Sequence, residues 1–253
     1  QSPAFLIGFP RSGTTLLEQI IKAHPMIETI EERPLLSSVE ESLLAQGQAY
    51  PECLSELGGE QLDQLRRIYF DAMETFSGPR QGNRIYLDKM PLNTLKVPLI
   101  HRLFPRAKII FVLRHPCDCC LSGVMQSYQP NDAMAGFLNI ESAARFYSAT
   151  MDFWRRCQDV LQLDCHMLRY EDLIEDYSGE AKAVLKHLGL AWDDAIQQYR
   201  EKASDRLIAT PSYHQVKEPI YRRAKGRWRT YAEFLEPVLP ILAPHATAFG
   251  YDI

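Results

Sequence analysis

The sequence predicts an α/β fold of three layers, a central parallel β-sheet flanked by helices on both faces, with a helical cap inserted at about residues 33–80. Three observations predict it. Four short apolar runs read as buried strands: PAFLIGF (3–9), RIYLDK (84–89), AKIIFVLR (107–114) and CHMLRY (165–170). Helical patterns separate them, and strands alternating with helices imply right-handed crossovers onto a parallel sheet. Polar residues follow every run: Pro10-Arg11-Ser12-Gly13 after the first, Lys89 closing the second, Arg114 closing the third, and Tyr170-Glu171-Asp172 after the fourth. Ligands of such sheets sit beyond the carboxyl ends of the strands, where these residues converge.

The elements follow in order. Residues 13–23 form an amphipathic, turn-rich segment stopped by Pro25. The stretch 33–80 has no strand pattern, and within it EQLDQLRRIYFDAMETF (60–76) repeats its apolar residues at helical spacing. SAARFYSATMDFWRRCQD (142–159) does the same, and 179–188 and 230–242 also read as helices. No internal repeat, low-complexity tract or linker divides the chain. With 253 residues and 46% hydrophobic content, it reads as one domain spanning 1–253. The first strand begins almost at Gln1, so the chain reads as a piece of a longer protein, with a repeat domain or a membrane stem as candidates for what precedes it.

Composition narrows the function. A net charge of -4 gives no general attraction to nucleic acid or to an anionic membrane. Positive charge is instead concentrated at 217–229, where Lys217, Arg222, Arg223, Lys225, Arg227 and Arg229 face the single acid Glu218. The absence of a recognised nucleic-acid module argues against a nucleic-acid partner. No apolar run approaches the ~20 residues of a membrane span, so direct membrane insertion of this segment is not expected. Six cysteines in so long a chain are too sparse for a disulfide framework and read as mostly reduced, buried thiols. Cys117 and Cys120 share a helix face, but no second Cys/His pair at ligand spacing joins them, and no metal site is expected.

The chemistry begins at GFPRSGTT. Gly8 and Gly13 have the separation of the phosphate loop G-x-x-x-x-G-K-[ST], and Thr15 occupies its Ser/Thr slot, but Thr14 stands where the lysine belongs. This makes the fold P-loop-like. A glycine-rich turn from a strand into a helix offers backbone N–H groups and a positive dipole end to an anion, and Ser12, Thr14 and Thr15 add hydroxyls. The plain alternative is a tight turn capped by Ser12. Without the lysine, a triphosphate donor loses a principal countercharge. Arg11 supplies a bidentate cationic fork, suited to a single tetrahedral oxyanion.

GFPRSGTTLLEQII, followed by VLRHPCDCCLSGVMQSY and RYEDLIED, resembles the sulfotransferase family that uses 3′-phosphoadenosine 5′-phosphosulfate. The resemblance runs from residue 4 to about 230, and is closest to the tyrosylprotein-sulfotransferase-like branch and to bacterial sulfotransferases fused to tetratricopeptide repeats. It implies that Arg11, Ser12, Gly13, Thr14 and Thr15 bind the 5′-phosphosulfate, and that Arg114 and Ser122, eight residues apart, bind the 3′-phosphate. AHPMIETIEERP resembles the segment whose second glutamate is the catalytic base, which makes Glu32 the base and Glu31 its rival. LDKMPLNTLKVP gives Lys89 a contact to the transferring group, and PSYHQVKEPIY gives Ser212 the role of active-site serine. YRRAKGRWRTY resembles the C-terminal cofactor loop of cytosolic and bacterial members, implying that Arg222 and Arg223 hold the 3′-phosphate and that Trp228 stacks on adenine or packs the loop. Tyr170 falls near the nucleotide. Gln126 departs from the tyrosylprotein pattern, which has a further arginine there.

On residue pattern alone, Glu28, Glu31 and Glu32 also read as a solvated cluster at a helix end, and His115 and His214 as structural histidines. The resemblance implies a metal-free transfer to a hydroxyl on peptide tyrosine, a saccharide or a small molecule. It leaves a homodimer open, and implies a cytoplasmic location, or the Golgi lumen if an anchor precedes Gln1. Two other readings compete: a Mg²⁺-dependent kinase or nucleotidase, against which Thr14 counts, and a non-catalytic nucleotide-binding module.

Overall fold

The computed structural model describes residues 2–126, 134–198 and 224–253. Five strands, β1 (Ala4–Gly8), β2 (Ile27–Glu31), β3 (Ile85–Lys89), β4 (Lys108–Leu113) and β5 (Asp164–Arg169), form one sheet in the order β2-β3-β1-β4-β5. Every pairing is parallel, so all carboxyl ends lie along one edge, as the polar residues after the strand runs require.

The period of two sorts each strand between two cores. Phe5 and Ile7 of β1 and Ile109, Phe111 and Leu113 of β4 enter one apolar cluster, while Leu6, Ile110 and Val112 enter the other. The first cluster is closed by α2 (Leu35–Ala45), α3 (Gly59–Ser77), α4 (Val97–Leu103), α5 (Pro116–Val124) and α6 (Ile140–Val160). Trp154 of α6 stacks on Phe111 with ring centroids 4.0 Å apart. The second face is covered by α1 (Thr14–Ile21), α7 (Tyr170–Glu175) and α8 (Tyr177–Leu188). The result is the predicted three-layer α/β fold. All six cysteines are free thiols, and five are buried.

Two expectations are corrected. IETIE is not helix-end chain: Ile27–Glu31 is edge strand β2, paired residue for residue with β3. Glu28 and Glu31 are therefore strand residues, and Glu32 follows at the carboxyl end. The helix expected at 230–242 is broken instead into α9 (Ala232–Leu235), a 3₁₀ turn at Glu236–Val238, and α10 (Leu239–Ala248). Pro237 and Pro240 each lack the N–H that a continuous helix needs, and each occupies the start of the next piece, where that loss is harmless.

Candidate active site

The loop after β1 is a backbone device. Gly13 sits at φ 105° at the N-terminus of α1, and no side chain caps that helix. The Ser12-capped turn therefore does not occur. A Cβ on Gly13 would lie 2.5 Å from Cδ2 of Tyr170, so the loop packs directly on the first residue of α7. Ser12, Thr14 and Thr15 are all buried in the turn.

Among the described residues, only two non-glycine residues have positive φ, Arg11 at 71° and Glu32 at 46°. Both were singled out by sequence as reacting-centre residues. Such backbone conformations cost on the order of 1–3 kcal/mol each and persist where surrounding structure enforces them.

One wall of the site holds the arginines. Arg11 donates from Nε to Oγ of Ser122 at 3.1 Å, which joins the loop to α5. Arg114, beyond β4, donates from Nη1 to the Arg11 carbonyl at 3.0 Å and from Nη2 to the Ala224 carbonyl at 2.7 Å. Its guanidinium lies 4.8 Å from the centroid of the Tyr170 ring. Arg11, Gly13, Arg114, Ser122 and Tyr170, scattered in sequence, thus form one connected cluster.

The opposite wall holds Lys89 at the carboxyl end of β3. Its side chain is wholly buried, yet its Nζ lies 2.8 Å from Oε1 of Glu32, 3.5 Å from Oε1 of Glu31 and 3.3 Å from Oε2 of Glu18. Burial alone would push the ammonium down, but Glu18, Glu32 and Glu31 together hold it above the ordinary lysine value. The Glu32 side chain is 34% exposed and that of Glu31 18%, so Glu32 is the carboxylate more open to an incoming group. Beside them, a cavity of about 400 Å³ is lined by β2, Glu32, Arg33, Phe76 and Ser77.

The C-terminal segment is tied in by a residue that sequence reasoning passed over. Asp118, in the first turn of α5, accepts from the backbone N–H of Gly226 and of Trp228, each at 2.8 Å. Trp228 is buried, its ring stacked on His115 at 4.9 Å. His115 is itself fixed by accepting from the Cys117 N–H at Nδ1 and by a 2.8 Å contact from Nε2 to the Asp252 carbonyl. The carbonyl can only accept, so the ring carries its proton on Nε2, and burial holds the imidazole below its ordinary value. Glu18 was also passed over. Its signal was a lone carboxylate inside the apolar run LLEQII, four residues after Thr14 on the same helix face. Ser212, Arg222, Arg223 and His214 lie outside the described residues.

The site has the features of an anion-holding pocket. Ser12 Oγ, Arg114 Nε and Trp228 Nε1 are buried without a hydrogen-bond partner among the described residues. Unpartnered buried donors are costly in a folded chain, and Ser12 of the loop and Arg114, which donates to the Arg11 carbonyl, fit an anionic ligand at the loop. No group of His, Cys, Asp and Glu suited to a metal ion occurs among the described residues.

Fold and site together define an α/β transferase whose phosphate loop lacks the triphosphate-type lysine. A model described as the sulfotransferase family matches residues 3–194, and the chain belongs to that family. An uncharacterised protein of Aquifex aeolicus is 30% identical over 251 residues, covering 95% of this chain and 32% of that protein. The chain thus spans about a third of that relative's length. Protein-tyrosine sulfotransferase 2 of Gallus gallus is 26% identical, covering 98% of this chain and 69% of the relative. Among solved structures, the sulfotransferase domain of the Synechococcus olefin synthase matches with a TM-score of 0.66 at 19% identity, covering 100% of this chain and 96% of that one. A mouse sulfotransferase complexed with PAP, 3′,5′-adenosine bisphosphate, matches with a TM-score of 0.53 at 16% identity, covering 98% and 89%. No helix among the described residues is long and apolar enough to cross a membrane.

Proposed function

We propose that the chain transfers a sulfuryl group from 3′-phosphoadenosine 5′-phosphosulfate to a hydroxyl acceptor by in-line displacement, with Glu32 as general base. The observation that carries this reading is the 2.8 Å pairing of Lys89 with Glu32 at the strand ends, beside a phosphate loop that has no lysine of its own. A cation for the transferring group and a base for the acceptor then stand side by side.

In this reading, the backbone of Gly13, Thr14 and Thr15 and the hydroxyl of Ser12 hold the 5′-phosphosulfate at the positive end of α1. Arg114 and Ser122 hold the 3′-phosphate, joined by Arg222 and Arg223. Arg11, whose guanidinium reaches Ser122, links the two ends of the donor site. Trp228, stacked on His115, serves to pack the basic segment and carries no adenine. The acceptor hydroxyl enters from the cavity along β2. Its oxygen forms a bond to sulfur as the bond from sulfur to the bridging phosphate oxygen breaks, its proton passes to Glu32, and 3′,5′-adenosine bisphosphate leaves. Lys89, Arg11 and Ser212 stabilise the charge that develops on the sulfuryl and bridging oxygens. Removing such a base typically costs ~10²–10⁴ in rate.

Thermal shift separates this donor from a triphosphate. At ~100 times its dissociation constant, the bisphosphate adds about 2.7 kcal/mol to stability without Mg²⁺. Stabilisation by ATP with Mg²⁺ and none by the bisphosphate would overturn the donor assignment. Transfer is then assayed with a tyrosine peptide, an amino-sugar oligosaccharide and a simple phenol as acceptors. Glu32→Ala is expected to keep bisphosphate affinity and to lose transfer at least ~100-fold; undiminished transfer would remove Glu32 as base.

A further inference from the structure

Glu18 is a buried carboxylate that the proposed reaction does not use. Its side chain and that of Lys89 are both 0% exposed, and they face each other at 3.3 Å between α1 and β3. Its helix neighbours Leu17, Ile20 and Ile21 are wholly buried in the sheet-facing cluster. A buried ion pair at such a place is commonly no more stabilising than apolar residues of the same volume, so stability does not account for it.

Its geometry relative to the other carboxylates does. Glu31 and Glu32 meet the ammonium from the partly open side, whereas Glu18 meets it from the closed side, out of reach of any acceptor. When Glu32 takes up the acceptor proton, it ceases to be a counter-charge at the moment Lys89 must stay cationic for the sulfuryl oxygens. Glu18 is the counter-charge that does not change. The neighbouring Asp88 points to the other face of β3, toward Tyr69 and Asn93, and plays no part in this group.

Resting on the assignment of Lys89 to the transferring group, we propose that Glu18 is a positioning residue: its buried carboxylate anchors the Lys89 ammonium and keeps it protonated through the transfer. The charged groups around the pair are Glu18 from α1 and Lys22 just beyond its end, Glu31 and Glu32 from β2 and its end, and Lys89 itself from β3. Burial raises Glu18, while Lys89, Lys22 and Thr29 favour its ionised form and Glu31 opposes it.

Glu18→Gln keeps the shape and removes only the charge. The variant is expected to bind the bisphosphate within about twofold of the parent, to lower kcat, and to move the alkaline limb of the kcat profile down by about one unit or more, because Lys89 loses a charge that holds its proton. An unmoved limb would overturn the proposal, since a carboxyl that is merely structural is neutral and glutamine mimics it. The same shift is expected in the ¹³Cε titration of Lys89 in labelled protein, with Lys89→Met for assignment, which needs no acceptor. If E18Q does not fold, Glu18→Asp is read instead: retained limb with kcat at least about fivefold lower supports the role, and parental kcat refutes it. Parental transfer by Lys89→Met would instead sink the assignment of Lys89 on which the proposal rests.

Discussion

Gly13 leaves no room for a side chain and sits in a conformation that side chains disfavour. Its φ of 105° disfavours any side chain, and a Cβ there would stand 2.5 Å from the Tyr170 ring. Gly13→Ala is therefore expected to cost about 1–3 kcal/mol from backbone strain, and to weaken bisphosphate binding by displacing the N–H groups of the loop. Thermal denaturation and calorimetric titration check the two effects separately. Adding Tyr170→Leu should recover part of the stability, because it relieves the contact but leaves the φ; full recovery would show that the backbone is not strained. At this scale the sequence was informative. The spacing of Gly8, Gly13 and Thr15 located the loop, and Arg11 and Glu32 were both singled out. Their positive φ values could not be read, because no pattern at either position asks for a left-handed arginine or glutamate.

Among elements, legibility followed apolar content more than burial: the edge strand β5 was legible from CHMLRY although only Leu168 of it is buried. β1 and β4 are buried along almost their whole length and announced themselves as apolar runs, while β3 is equally buried although Asp88 and Lys89 close it. β2 lies at the sheet edge, with Glu28, Thr29 and Glu31 interrupting its two isoleucines, and its strand character comes from pairing with β3 rather than from its own side chains. Missing it hid the reason Glu32 meets Lys89: the register sets Glu31 opposite Lys89, and Glu32 donates its N–H to the Lys89 carbonyl at 2.8 Å. The link from α5 to the C-terminal segment was equally invisible, since Asp118 looks like an ordinary first-turn acid of a helix. It predicts a specific defect. Asp118→Asn keeps one acceptor oxygen but turns an amide N–H₂ toward a backbone N–H, so one of the two 2.8 Å bonds is lost. The expected cost is about 1–3 kcal/mol. Because Ala224 in that segment accepts from Arg114, bisphosphate affinity should fall along with Tm. A fall in Tm with unchanged affinity would separate the segment from the donor site.

Across the whole molecule, the period of two in β3 divides two acid–base tasks between the two layers. Lys89 faces α1 and the site, whereas Asp88 faces α3, accepting from the Tyr69 hydroxyl at 3.0 Å and from Asn93 Nδ2 at 3.3 Å. Burial raises the Asp88 carboxyl to about 7, opposed only in part by Tyr69 and Lys96. An aspartate whose value is higher in the folded chain than in the unfolded one binds its proton more tightly when folded. Its contribution to stability is therefore fully present below the unfolded value near 4 and is lost as pH rises through about 7. A rise of about three units corresponds to about 4 kcal/mol at most. His115, held below its ordinary value by burial, acts in the opposite sense, favouring the fold above its unfolded value and losing that contribution as pH falls. The two effects overlap between about pH 4 and 7 in the parent, so its Tm alone does not isolate either one. The difference between parent and Asp88→Asn does, because the amide has the size of the neutral acid and cannot ionise. The variant is expected to match the parent below about pH 4 and to exceed it at pH 8 by several degrees in Tm, a separation that opens between about pH 4 and 7 and then levels off. A constant difference across that range would mean that Asp88 stays ionised in the folded chain, with Lys96 rather than Tyr69 as its governing partner.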